Sequence, residues 1–543
     1  MRKIALWTYV LVSILLVAPL VAVLIAAARG LGTPFPAFDL FDLSARVLPG
    51  SVITFGIDTI VGIVRGLNLG PTDTTAKLAE RLMATGIFSV TLIIASLAYF
   101  AVARRALANS RRLERDSLLS GLAFGLILGL PLVAVSLAFN HDATAPQAVT
   151  AVWLLLAYVA WGLAHGFVYS RLVALPASTT VTSNSLDRRQ FLIRFGGTVA
   201  AITVFGAGLS TLLGSDVPTE AVLPDATDTP KNPAALPNAS DSLVPAPGTR
   251  PEYTPVDRHY RIDINTGSGP RVDLSTYKLK INGLVDNPVD LSLDDIRKKY
   301  PPMEQYITMS CISNPLAGDL ISTTKWTGTS MQHILDLVRP TDKATHIRIT
   351  AADGFDEVVA LDTIRQDERV MLTYDWDDKP LTQQHGSPLR IHVPNHYGMK
   401  QPKWITGMEF IDSWQEGYWV RRGWDKDAFV RATSVIDTVA INSKFTDDKG
   451  QTLVPIGGIA WAGTRGISRV EVKVDDGEWT PAQLRQPISD KTWTIWRYDW
   501  PFTAGDHTFA VRCFEGDGTA QIDRYADVRP SGATGIHTIH AKA

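Results

Sequence analysis

Apolar residues are distributed unevenly along the 543-residue chain: long unbroken runs fill the first part, and short alternating runs replace them later. Five runs, at about 4–28, 82–102, 118–139, 149–173 and 195–213, are each apolar over roughly the 20 residues that a bilayer-crossing helix needs. Five such runs close together predict a helical membrane domain over 1–214 rather than buried core helices. Positive charge sets the expected orientation. Arg2 and Lys3 precede the first run, and Arg104, Arg105, Arg111, Arg112 and Arg115 fill the loop between the second and third, which places both in the cytoplasm. Counting onward, 174–194 is also cytoplasmic and everything beyond Leu213 lies outside. Between the first two runs, 47–69 is apolar at helical spacing (Val52, Phe55, Ile60, Ile63, Val64, Leu67) yet carries Asp58 and Arg65. That pattern predicts an interfacial or re-entrant helix instead of a sixth span.

Beyond the last run, 215–255 is crowded with Pro, Ala, Asp, Thr and Ser without apolar periodicity, and reads as an extended tether. From 256 to 431, strand-like runs at 277–281, 346–350, 370–374 and 389–393 alternate with helical patterns at 293–300 and 330–338. This mixture predicts an α+β domain. From 432 to 543 the pattern is all-β. Val470, Val472 and Val474 alternate with Glu471 and Lys473 and run into the turn Asp475-Asp476-Gly477. With further strands at 492–500 and 507–514, an immunoglobulin-like sandwich is expected.

Composition narrows the chemistry. The 52 Lys and Arg nearly balance 54 Asp and Glu, which argues against a nucleic-acid partner. Two cysteines exclude a disulfide framework, a Cys-rich zinc ribbon and an all-cysteine iron–sulfur cluster, and no CxxCH attaches a c-type haem. His165 inside one run and His141 just past another read as isolated polar residues, not paired haem ligands. No haem or iron–sulfur cluster is therefore expected in this chain, and electrons would pass to or from a separate cytochrome or quinone-linked carrier. The cytoplasmic loop ends in Asp187-Arg188-Arg189-Gln190-Phe191-Leu192-Ile193-Arg194, which looks like an internally placed twin-arginine export signal. The positive-inside rule alone would also put arginines there. Such export carries folded proteins, so the outer part is expected to hold a cofactor inserted in the cytoplasm.

Of the two cysteines, Cys513 shares a strand face with Phe509 and Val511 and reads as core. Cys311, in Thr308-Met309-Ser310-Cys311-Ile312-Ser313-Asn314-Pro315, falls where a strand passes into a loop. By itself a free cysteine is usually a small buried hydrophobe. The neighbouring motifs change that. In order along the chain come Arg258-His259-Tyr260-Arg261-Ile262-Asp263, Tyr277-Lys278-Leu279-Lys280-Ile281-Asn282-Gly283, the Cys311 run, and Lys325-Trp326-Thr327-Gly328. They continue with His385-Gly386-Ser387-Pro388-Leu389-Arg390, Val393-Pro394, Lys403-Trp404 and Tyr418-Trp419-Val420-Arg421-Arg422-Gly423-Trp424. Over about 257–518 the chain resembles the sulfite oxidase superfamily of molybdopterin enzymes, especially its bacterial membrane-tethered branch.

That resemblance implies a molybdenum-molybdopterin cofactor. Cys311 would bind the metal as a soft thiolate, and Tyr260, Arg261, His385, Arg390 and Lys403 would hold the cofactor's phosphate and pterin ring. The resemblance also puts Asn314 and Asp353 in the cofactor-binding set: Asn314 would shape the loop by hydrogen bonding to backbone, and Asp353 stands where the family often places a polar cofactor contact, although Asp-Gly also makes a turn. The terminal sandwich, with Gly458-Ile459-Ala460-Trp461-Ala462, resembles the family's dimerisation domain, which implies a homodimer. His392 and His396 read as loop residues, because Pro394 breaks any helix that would align them on a metal. One departure concerns substrate: Pro315, Leu316 and Ala317 stand where sulfite-oxidising and nitrate-reducing relatives carry arginines. The implied protein is a membrane-anchored, multi-pass oxidoreductase of the cell membrane. Its catalytic domain is extracytoplasmic and moves an oxygen atom to or from a small substrate, or reduces one such as a sulfoxide. A binding or assembly module of a membrane redox complex is the second reading. A transporter fits poorly, since no repeat is visible and few ionisable residues lie in the apolar runs.

Overall fold

The computed structural model describes residues 4–67, 70–140, 142–174, 188–212 and 236–543. His141, Asp187 of the twin-arginine motif and 215–235 of the expected tether lie outside the described residues. The helices of the first half are α1 (Leu6–Leu31), α2 (Pro36–Val47), α3 (Gly50–Gly66), α4 (Thr72–Ala106), α5 (Leu113–Phe139), α6 (Gln147–Ala174) and α7 (Arg188–Leu212). Two compact units emerge: Met1–Leu48, Ala76–Val222 and Asn265–Arg271 in the first, and Pro49–Thr75, Leu223–Ile264 and Val272–Ala543 in the second. The boundary expected at 214 is therefore too simple. The stretch 265–271 belongs with the helices because Thr266 donates its amide and hydroxyl to Asp42, at 3.0 and 2.5 Å, while Lys77 and Arg81 donate to the carbonyls of Asn265 and Thr266.

Within the first unit, α1, α4, α5 and α6 are long and apolar enough to cross a membrane. The fifth expected span differs. Helix α7 is continuous, but its described apolar stretch, Gln190–Val204, falls short of the roughly 20 residues a crossing needs. Helices α5 and α6 touch backbone to backbone through Gly121, Gly125, Gly162 and Gly166: a Cβ on Gly162 would lie 2.3 Å from the Gly121 carbonyl. His165 is buried among Tyr99, Phe100, Phe124 and Trp161, with Nε2 at 2.9 Å from Ser96 Oγ and Nδ1 at 2.9 Å from the Trp161 carbonyl. Both ring nitrogens are thus engaged within the unit.

The second unit begins its regular structure with β1 (Leu279–Gly283), β2 (Val289–Leu291), α8 (Leu293–Lys299), β3 (Met303–Ser310), β4 (Ile321–Ser330) and α9 (Met331–Val338). It continues through β5 (His346–Ala351), β6 (Asp356–Ala360), α10 (Leu361–Gln366), β7 (Met371–Trp376), β8 (Lys379–Pro380), β9 (Arg390–His392) and β10 (Ile405–Ile411). One mixed sheet runs β2-β1-β10-β5-β6, with β1 parallel to β10; an antiparallel sheet runs β3-β4-β7-β8, with β9 on β7. Helix α8 starts on a capping box between Ser292 and Asp295, and Ile296 from its buried side joins Leu279, Ile281, Ile334, Ile347, Ile349 and Phe410 in one core. The expected α+β character follows from this alternation.

The remaining strands are β11 (Thr433–Val439), β12 (Phe445–Thr446), β13 (Thr452–Trp461), β14 (Ile467–Val474), β15 (Thr480–Pro481), β16 (Gln483–Leu484), β17 (Thr494–Pro501), β18 (Asp506–Glu515) and β19 (His537–Lys542). They form two antiparallel sheets, β11-β13-β17-β16 with β12 on β13, and β15-β14-β18-β19. Val470, Val472, Phe509, Val511 and Cys513 from one sheet pack with Ile436, Val454, Ile456 and Trp496 from the other, which confirms Cys513 as core. Packing is continuous across the boundary expected at 432, since Ile312, Tyr397 and Met399 share a core with Trp461, Trp493 and Ile495. The tether is also corrected over its described half. Residues 236–255 are pinned to the second unit, with Arg250 on Asp437 at 2.6 Å, Glu252 accepting from Arg485 at 2.6 Å and Asn238 donating to the Gln486 carbonyl.

Candidate active site

Strand β3 delivers Cys311 to a tight loop. The Cys311 amide donates to the Leu320 carbonyl at 3.0 Å, and the Asn314 amide turns back onto the Cys311 carbonyl at 3.0 Å. Asn314 Oδ1 then accepts from the Leu320 amide at 2.9 Å, closing the loop from inside. Only glycine fits beside it, because a Cβ on Gly318 would stand 2.3 Å from that same oxygen. The outer edge of β3 is held by residues 489–493: the Thr308 amide donates to the Lys491 carbonyl, and Thr308 Oγ1 accepts from the Trp493 amide, both at 3.0 Å. Cys311 itself stays half-buried, with Sγ 3.0 Å from Ser313 Oγ.

Three other segments converge near it: 259–263, 384–390 and 403–404. Arg390, at the start of β9, is buried; its guanidinium lies over the Trp326 ring at 4.9 Å, donates to the His385 carbonyl at 3.2 Å and stands 3.8 Å from Met309 Sδ, two residues before Cys311. Lys403 donates to the Gln384 carbonyl at 2.9 Å and to Asp263 at 3.2 Å, and packs over Trp404. Arg261 shares that carboxylate, with Nε 2.8 Å from Asp263 Oδ2. The His259 ring stacks on Tyr260 and meets the edge of His385, which packs on Trp376 at 4.5 Å. Gly398 leaves room for the Tyr260 hydroxyl, which would lie 2.9 Å from a Cβ there.

Burial dominates the electrostatics. It pulls Lys403 down to about 8, with Arg261 and Arg390 adding to the shift and Asp263 opposing it. Arg390 is lowered to about 10 by burial. His259 falls to about 3 and His385 well below the usual imidazole range, again through burial, so both rings are neutral at physiological pH. The Tyr260 phenol is pushed up by burial and then by the neighbouring Cys311, with Arg390 opposing. Among the described residues no carboxylate forms an ion pair with Arg390.

Residues 266–419 match the family described as the oxidoreductase molybdopterin binding domain. The mitochondrial sulfite oxidase of Macaca fascicularis is 26% identical over 288 residues, 45% of this chain and 52% of that protein. The uncharacterized oxidoreductase YuiH of Bacillus subtilis is 30% identical over 162 residues, 30% of this chain and 79% of that protein. This chain belongs to the sulfite oxidase superfamily of molybdopterin oxidoreductases. Another superfamily relative, the nitrate reductase of Hordeum vulgare, is 25% identical over 292 residues, 43% of this chain and 32% of that protein. The chain spans about half the length of the sulfite oxidases it matches.

Of the residues singled out by the superfamily motifs, Cys311, Tyr260, Arg261, His385, Arg390 and Lys403 come together in one constellation. Asn314 spends its side-chain oxygen on the loop backbone, accepting from the Leu320 amide. Asp353 accepts from the Phe355 amide in the β5–β6 turn, while the adjacent Ala352 amide donates to the Trp404 carbonyl, so the turn abuts the Lys403 segment. His392 lies on β9, not in a loop, with Nδ1 bonded to Gln401 Oε1; His396 Nδ1 instead turns onto the Pro394 carbonyl. Asp263, His259, Trp326, Trp376 and Trp404 were not singled out from the sequence, yet they contact Arg261, Lys403, Arg390 and His385. Trp326, Trp404, His259 and Asp263 stand inside the motifs, but nothing local marks them as packing on the site residues.

Proposed function

We propose that this protein is a membrane-anchored molybdenum-molybdopterin oxidoreductase of the sulfite oxidase type, with Cys311 as the metal's thiolate ligand. The observation that carries the reading is Arg390, a buried guanidinium with no carboxylate partner among the described residues. A buried cation is costly unless something negative joins it. Among the described residues, His259 Nε2 and Gln384 Oε1 are buried without hydrogen-bond partners. A phosphate and a heteroaromatic ring with donors and acceptors fit such a set. Arg390 would fork onto phosphate oxygens and Lys403 would act as a point charge, while Tyr260, Arg261 and neutral His385 would orient the ring. Asp353 supports the Lys403 segment through its turn. When bound, the cofactor would supply two-electron redox chemistry at its metal. The chain's share is to present one soft sulfur, fix the cofactor and exclude water with its tryptophans.

The run 312–318 carries no arginine, so a neutral substrate such as a sulfoxide suits the loop better than sulfite. Electrons would be exchanged with a separate cytochrome or quinone-linked carrier. If α7 crosses the bilayer as a fifth span, the loop charges favour the extracytoplasmic side for the catalytic part, as the Arg188-Arg189 pair would also direct. We assign the two-layer β part as immunoglobulin-like and as the surface of a homodimer. Molybdenum should be stoichiometric in protein matured in a cofactor-competent host and be lost in Cys311→Ser. Wild type without molybdenum, or a fully loaded Cys311→Ser, would refute the assignment. Turnover of sulfoxides, sulfite and nitrate with an artificial electron carrier then sorts the substrate.

A further inference from the structure

Helix α3 belongs to the second unit, yet one of its faces is apolar and uncovered. Val52, Phe55 and Ile63 are 50, 74 and 53% exposed, and Leu67, just past its end, is 66% exposed. Positions 52, 55, 59 and 63 share a face at helical spacing. Thr59 does not break it, because its hydroxyl is turned back onto the Phe55 carbonyl at 2.7 Å. The polar Asp58 stands beside the face and is paired with Arg529 at 3.2 Å. Gly50 at the other end lies against Arg422, where a Cβ would come within 3.2 Å of that residue's Cα. The helix is held to its unit by this ion pair and this close packing, with its apolar side exposed.

Seventeen residues rise about 26 Å, short of the roughly 30 Å hydrocarbon core, so α3 is too short to cross upright. The chain on either side limits where it can go. It follows α1 and precedes α4, two of the helices long enough to cross a membrane; residues 67–71 join it to α4, whose first ten residues, 72–81, are largely polar before the apolar run that begins at Leu82. Five extended residues reach at most about 18 Å and ten helical residues rise about 15 Å. An apolar face tethered within about 33 Å of that run, the sum of those two reaches, has lipid within reach of its own chain, whereas a protein partner would have to be recruited. We propose that the Val52–Phe55–Ile63 face of α3 lies in the boundary between headgroups and acyl chains, giving the catalytic unit a bilayer contact of its own. This rests on the membrane reading above.

The test uses the full-length protein in vesicles of phosphatidylethanolamine and phosphatidylglycerol, with benzoylphenylalanine placed at one position at a time. Phe55 and Ile63 probe the face. Ile127, 70% exposed on α5, reports whether the long helices sit in lipid, and Phe445, 37% exposed on β12, serves as the water-facing comparator. All four are surface positions, so replacement should leave the fold intact. After irradiation, lipid adducts at 55 and 63 are expected about tenfold above those at 445. Adducts at 127 with none at 55 and 63, or protein adducts at 55 and 63, overturn the inference while leaving the membrane reading in place. No lipid adduct at 127 removes the membrane reading and this inference with it.

Discussion

Lys403 is a buried ammonium whose neighbours are another cation on one side and a shared carboxylate on the other. Its folded value of about 8 lies below the ordinary 10.5. The unfolded chain therefore holds more protons between those values, and the cofactor-free protein should gain stability as pH rises through this window. Binding of an anion works in the opposite sense, since it favours the charged lysine. Retention of an anionic ligand should be flat below pH 8 and weaken above it, and Lys403→Met should both weaken retention and flatten its pH dependence. Dialysis of loaded protein at a series of pH values, followed by metal and phosphate analysis, reads this directly. The residue types at the site were legible because thiol, guanidinium and ammonium recur in recognisable motifs. That no carboxylate among the described residues pairs with Arg390 was not, because it depends on which distant side chains arrive.

At the scale of elements, the contact between α5 and α6 depends on glycines four residues apart, Gly121 and Gly125 facing Gly162 and Gly166. A leucine at Gly162 would push against the Gly121 carbonyl and the Gly125 backbone, and we expect a loss of about 1–3 kcal/mol or failure of the bundle to form. Gly86→Leu on α4, with nothing within 4 Å of its Cβ position, should be nearly neutral. Thermal unfolding of the two variants in the same detergent makes the comparison. The glycine spacing was present in the sequence, but hydropathy averages over it. Four of the five long apolar runs and the α+β alternation reappear in the structure because period and length are local properties. Helix α2 escaped notice, since twelve residues interrupted by Asp39, Asp42 and Ser44 give no sustained apolar run.

For the whole molecule, sidedness turns on whether α7 crosses the bilayer. Four crossings would return the chain to the cytoplasm, and a fifth would place the catalytic part outside. Protease added to spheroplasts of a bacterial host should remove 236–543 from the wild type. Replacing the pair with Arg188→Lys and Arg189→Lys should leave that part protected. Protection of the wild type would establish the four-span arrangement instead. Composition at this scale was misleading in one respect: a Pro-rich stretch read as a free tether is, over its described half, held by Arg250, Glu252 and Asn238.

By itself the sequence determined what each stretch tends to become and which residue types are available for chemistry, because helical period, strand alternation, net charge and motif order are carried by neighbours along the chain. Only the tertiary structure decided that 49–75 belongs with the second unit and 265–271 with the first. It alone decided that Asp263 is shared by Arg261 and Lys403, and that Arg390 lies buried above Trp326 beside the strand of Cys311. Those outcomes turn on proximity and desolvation between residues far apart in sequence, and no local pattern encodes them.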